Sequence, residues 1–110
     1  MEQEKAKNLE KAVNELETEI KTAKENPLIL YLDEYECWIA GNIRQGNFEE
    51  AKYHAQLLIS YYISENPFRP EQEKRMEEIK DKMPQLYEMI DAGKKMYNIG
   101  QAAKKILEFI

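Results

Sequence analysis

The sequence predicts an all-α protein, an antiparallel bundle of four to six helices forming one domain over residues 1–110. Three observations carry this expectation. Glu occurs 18 times and Lys 13 times against three Asp; long straight-chain residues lose little rotamer freedom in a helix, whereas Asp competes with the backbone for hydrogen bonds. Gly and Pro together occupy only eight positions, too few for a loop-rich chain. Apolar residues recur at steps of three and four along most of the chain, the spacing of one helix face.

The first helix is expected over residues 1–25. Ala6, Leu9, Val13, Leu16, Ile20 and Ala23 step 3, 4, 3, 4, 3, a heptad seam with everything else polar. Val13 and Ile20 share one seam position and Leu9 and Leu16 the other, the arrangement a parallel two-stranded coil prefers. Such a seam serves either a second copy of the chain or its own domain. Leu9, Val13, Leu16 and Ile20 are therefore candidate interaction residues; packing on its own domain is the leading expectation, and a homodimeric coiled coil is the alternative.

Asn26-Pro27 ends that helix, because the residue before proline is pushed out of helical geometry. A central hairpin is expected over 28–64. Its first helix, from Leu28 to Gln45, carries Leu28, Tyr31, Leu32, Tyr35, Trp38, Ile39 and Ile43 on one face, with Ile29 and Leu30 on a second. Gly46 breaks the chain, and Asn47 with Glu50 gives a capping-box-like start. The next helix, Phe48 to Ser64, has one stripe of Phe48, Ala51, Ala55, Leu58 and Tyr62 and another of Tyr53, Leu57 and Tyr61. Two stripes imply contacts on two sides. The second makes Tyr53, Leu57 and Tyr61 candidate interaction residues, since Tyr buries area while keeping a polar tip.

Asn66 to Pro70, with two prolines, is the clearest connector. The helix expected over 70–97 keeps one 3-4 pattern through Met76, Ile79, Met83, Leu86, Ile90, Gly93 and Tyr97, interrupted by Pro84, which either kinks or breaks it. The pattern changes phase near Asn98-Ile99-Gly100, predicting a last short helix over 101–110 that Gly100 lets fold back. The tripeptide Glu25-Asn26-Pro27 recurs as Glu65-Asn66-Pro67, the same punctuation used twice.

Charge and chemistry narrow the function. The net charge of −5 argues against a nucleic-acid binder, which needs Lys and Arg to neutralise phosphates. It is unevenly spread: residues 94–110 hold four lysines against Glu108, a net +3, leaving −8 on the first 93. The basic end is expected to dock on the acidic bundle, with weak membrane contact as the alternative. No stretch approaches the roughly 20 apolar residues of a membrane helix and no signal peptide opens the chain. A single cysteine excludes an internal disulfide, and a cytoplasmic location is expected. The Glu and Lys excess is also the compositional mark of thermophilic proteins.

Few residues suggest catalysis. His54 is the lone histidine, and an acid-base role would need a positioned partner beside it. Cys37 reads as a small buried hydrophobe, with Glu36, Asp33 and Glu34 opposing a thiolate. Glu49-Glu50 and Glu77-Glu78 split between helix faces, and Glu49 and Glu50 suit the positive end of a helix dipole. One His and one Cys are too few for common zinc sites, and no phosphate loop or catalytic triad motif is present. The expectation is therefore no enzyme, no metal, no cofactor and no small-molecule substrate.

Gln45-Gly46-Asn47-Phe48-Glu49-Glu50-Ala51 resembles the turn inside a tetratricopeptide repeat, over residues 32–63. The resemblance implies that Gly46 turns the chain, Phe48 plugs the hairpin and Ala51 lets the helices close. Ile39 stands where the family places a small residue, Leu58 where it places Ala, and the closing proline comes late, at Pro67. The same turn, followed by a charged third helix, is similar to the microtubule-interacting-and-transport domain over residues 28–92. Both resemblances imply binding of another protein's segment in a groove between helices. The leading expectation is thus a non-enzymatic adaptor or scaffold binding a peptide or helix. The alternative is a small viral or mobile-element regulatory or inhibitory protein acting through its acidic surface.

Overall fold

The computed structural model describes residues 2–110, and they form five packed helices with no strand among them. We label them α1 (Glu2–Ala23), α2 (residues 32–44), α3 (residues 48–64), α4 (Glu73–Lys82) and α5 (Pro84–Leu107). The body is elongated, 50 × 25 × 21 Å.

The heptad face of α1 packs within its own chain. Val13, Leu16, Ile20 and Ala23 are buried in one core with Ala92, Ile99, Ala102, Ala103 and Ile106 of α5, and Leu9 packs partly buried at its edge. Lys105 Nζ reaches Glu15 at 3.2 Å while Asn26, just past α1, reaches Glu88, so α1 and α5 run antiparallel. Three of the four candidate coiled-coil residues are therefore enclosed by the monomer. Each fully buried Leu or Ile contributes roughly 1.5–3 kcal/mol, and alanines on α5 let the helices approach closely enough to bury them.

α2 begins at Leu32 and not at Leu28. Asn26 Oδ1 accepts the Leu28 N–H at 2.9 Å, a side-chain turn that competes with helix. Ile29 enters the core while Leu28 and Leu30 stay exposed. Tyr31 closes the loop at φ 65°, a left-handed conformation that costs a non-glycine residue roughly 1–3 kcal/mol. Within α2 a π-helical turn spans Cys37–Gly41. It buries Ile39 and Ala40 and leaves Cys37 exposed, against the expectation of a buried thiol.

The α2–α3 turn is a Schellman motif. Asn47 N–H donates to Asn42 O at 2.8 Å and Gly46 N–H to Ile43 O at 3.1 Å, with Gly46 at φ 79° where a Cβ is disfavoured. The Asn47 side chain makes no cap bond, so the predicted capping box does not form. Ala51, Ala55, Leu58 and Tyr62 are buried as one face of α3. Phe48 remains 46% exposed, so it does not plug the hairpin. It borders a shallow hollow with Leu9, Phe109 and Ile110.

Pro84 breaks the chain. Met83 takes φ −140°, ψ 72°, as a residue before proline is pushed to do, and Pro84 occupies the first turn of α5. α5 then continues unbroken through Asn98-Ile99-Gly100 to Leu107, which replaces the separate helix predicted over 101–110. The phase change marks a change of partner: Gly93 and Tyr97 meet Asn66 and Phe68 of the connector, and Ile99 and Ile106 turn into the main core. Gly100 does not turn the chain. A Cβ there would stand 2.7 Å from Ile63 Cγ1, so glycine is what lets α3 and α5 close. Lys94 and Lys105 pair with Glu73 of α4 and Glu15 of α1, and Lys95 pairs with Asp91 within α5 itself.

Candidate functional site

Two Asn-Pro turns build the edges of an apolar groove along α5. Asn26 and Asn66 are both buried. Asn66 Oδ1 accepts the Phe68 N–H at 3.0 Å, and its Nδ2 donates to Tyr62 O at 3.1 Å and Gly93 O at 2.7 Å. Asn26 repeats the pattern: besides the Leu28 bond, its Nδ2 donates to Glu88 O at 3.1 Å and Asp91 Oδ2 at 3.2 Å. A buried amide so fully satisfied specifies one geometry. The recurrent tripeptide is thus one device, used twice to fix the chain against α5.

Each turn places an apolar residue two positions on, Leu28 and Phe68. Between them lies a groove of about 510 Å³, lined also by Tyr61, Leu86, Met89 and Met96. Phe68 is its floor, 4% exposed, with its ring 5.8 Å from that of Tyr97. Gly93 makes room for it, since a Cβ there would come within 3.0 Å of the Phe68 Cβ. The walls are open: Leu28 is 53%, Tyr61 64% and Met89 63% exposed. Large apolar side chains gathered on the surface mark an interaction site more often than scattered ones do.

An aromatic band continues from the groove over α2 and α3. Trp38 stacks on His54 with centroids 5.0 Å apart, and Tyr35 meets Trp38 and Tyr62 edge-on at 5.4 and 5.8 Å. Burial pushes the Tyr35 hydroxyl above its usual range, with Tyr61 nearby adding to the effect. Burial likewise pushes Tyr62 up to about 12. Both are neutral at physiological pH; Tyr62 belongs to the core and Tyr35 packs partly buried against it.

Of the residues singled out from sequence, Tyr61 lines the groove, and Leu57 and Tyr53 are exposed on successive turns of α3. Leu9, Val13, Leu16 and Ile20 lie in or against the α1–α5 core. Sequence reasoning missed Leu28, Phe68, Leu86, Met89 and Met96 as one site. A usable signal was present: Met89 falls outside the 3-4 stripe of α5, and Leu28 follows a helix-ending Asn-Pro.

The chemistry of the remaining polar residues is modest. His54 Nε2 lies 3.9 Å from Glu50 one turn earlier. Arg44 forms a two-pronged pair with Glu17 at 2.5 and 3.0 Å. Among the described residues no three His, Cys, Asp or Glu side chains converge as metal ligands. No described helix is long and apolar enough to cross a membrane. No protein-family model, curated protein or solved structure matches the chain.

Proposed function

We propose that this chain is a non-enzymatic protein-interaction module, an adaptor or scaffold acting in the cytoplasm, that holds a helical segment of another protein in the α5 groove. The observation that carries the reading is the open apolar wall of Leu28, Tyr61 and Met89 over the buried Phe68 floor. Grooves of this kind take the apolar face of an amphipathic helix. Methionine suits the task because its unbranched thioether adapts to the side chain opposite. The α2–α3 hairpin, with glycine at its turn and Ala51 and Ala55 at its close approach, supports a tetratricopeptide-like reading of the scaffold, and the outward Phe48 is its departure from that pattern.

Anisotropy of a labelled, uncharged amphipathic Leu-rich helix tests the proposal. Binding to the full chain is expected, with at least a tenfold loss in a Leu28→Lys, Met89→Lys variant, both positions being exposed and tolerant of lysine. Tyr53→Ala with Leu57→Ala, outside the groove, is expected to weaken binding less than threefold. Equal binding by the lysine variant and the parent chain would overturn the assignment.

A further inference from the structure

The groove is apolar inside, and three acids lie on it or next in the chain to the residues that frame it. Glu65 lines it. Glu88 precedes Met89 on the wall, and its carbonyl is the one that Asn26 holds. Glu25 precedes Asn26 itself. All three are exposed, and none enters an ion pair among the described residues. Two neighbouring lysines pair with other carboxylates, and Arg69 binds backbone carbonyls and keeps its charge. Lys94 pairs with Glu73 at 2.5 Å and Lys95 with Asp91 at 3.0 Å. Arg69 turns its Nη1 onto the backbone carbonyls of Asn66 and Phe68, at 2.6 and 2.7 Å.

We infer that the segment the groove takes is a basic amphipathic helix, whose apolar stripe lies on Phe68 and Met89 and whose flanking Lys or Arg residues meet Glu25, Glu65 and Glu88. This rests on the groove reading above and adds the charge of the partner. From Leu86 to Met96 α5 advances about 15 Å, at 1.5 Å per residue. That length matches two to three turns of a partner helix, anchored at positions i, i+4 and i+7. Acidic side chains at the rim steer a basic segment in and reject an acidic one, giving specificity more than raw affinity. The −8 carried by residues 1–93 acts in the same direction at longer range.

Three synthetic helices with one Leu pattern and with Lys, Gln or Glu at the flanking positions separate these statements, titrated against the full chain by anisotropy. The Lys helix is expected to bind about tenfold tighter than the Glu helix, the sum of a few exposed charge pairs. The gap is expected to shrink severalfold at 0.5 M salt, where screening is short-ranged. It is also expected to close in the Glu25→Gln, Glu65→Gln, Glu88→Gln variant but not in Glu4→Gln, Glu10→Gln, Glu108→Gln, which removes three exposed acids at the other end of α1 and α5. If all three helices bind alike and Met89→Lys abolishes binding, the charge inference falls and the groove reading stands. If none binds, or Met89→Lys changes nothing, both fall. If the free chain sediments as a dimer that Met89→Lys dissociates, the occupant is a second copy and the inference is overturned.

Discussion

Asn26 and Asn66, forty residues apart in sequence, grip the same helix five residues apart: one amide donates to the Glu88 carbonyl and the other to the Gly93 carbonyl. Both turns close on α5, so that helix acts as the ruler against which the ends of α1 and α3 are set. Both are equally buried, and the three hydrogen bonds of Asn66 all lie at or below 3.1 Å. Asn66→Ala strands the buried Phe68 N–H and is expected to destabilise by roughly 2–4 kcal/mol. Urea unfolding at pH 7 measures it, and a loss below about 0.5 kcal/mol contradicts the role.

Two glycines give opposite expectations. Gly100→Ala forces a Cβ within 2.7 Å of Ile63 Cγ1 and is expected to cost about 1–3 kcal/mol through overpacking, partly relieved by Ile63→Ala. At Gly41 the nearest atom to a new Cβ is Cys37 Sγ at 3.9 Å, and its backbone is helical. Gly41→Ala is expected to stabilise by about 0.5–1 kcal/mol. Thermal melts of both variants decide whether the two sites differ as their surroundings require.

Helix content and core faces are legible in the sequence because the 3-4 spacing of Leu16, Ile20, Ala51, Leu58 and Ile106 answers directly to burial. What is not legible is which partner each face meets. The heptad of α1 reads as a seam within its own domain or, less readily, between chains, and only the small residues of α5 opposite it decide. The phase slip at Asn98 looks like a helix end but records a change of neighbour. At Leu28 the Asn26 side chain outcompetes helix, a local contest that periodicity does not register. The groove gathers residues from the loop after α1, from α3, from the connector and from α5, and only Tyr61 among them stands out beforehand.

The enclosure of the α1 seam has its own test. Leu16 and Ile20 are fully buried within the monomer, so Leu16→Ala is expected to lower stability by about 2–5 kcal/mol at any protein concentration. Unfolding midpoints that rise with concentration, together with a mass that falls on substitution, would instead place the seam between chains.

Stability should fall at high pH through the tyrosines. Tyr62 is pushed up to about 12 by burial, so the unfolded chain, ionising near 10, releases its proton first. Between those values the folded state holds the extra proton, and stability declines as pH rises, by at most about 1.4 kcal/mol per pH unit. Below pH 10 this contribution is complete. Tyr62→Phe removes that share of the decline, which urea midpoints from pH 9 to 12 will register.

The central claim is that the α5 groove receives a helix, and methyl NMR of the methionines reads it most directly. With the Lys-flanked amphipathic helix titrated into methyl-labelled protein, the Met89 and Met96 signals are expected to shift together and saturate with one affinity. Met76, buried on the inner face of α4, should stay in place. Saturable binding that leaves Met89 and Met96 unmoved would contradict the account.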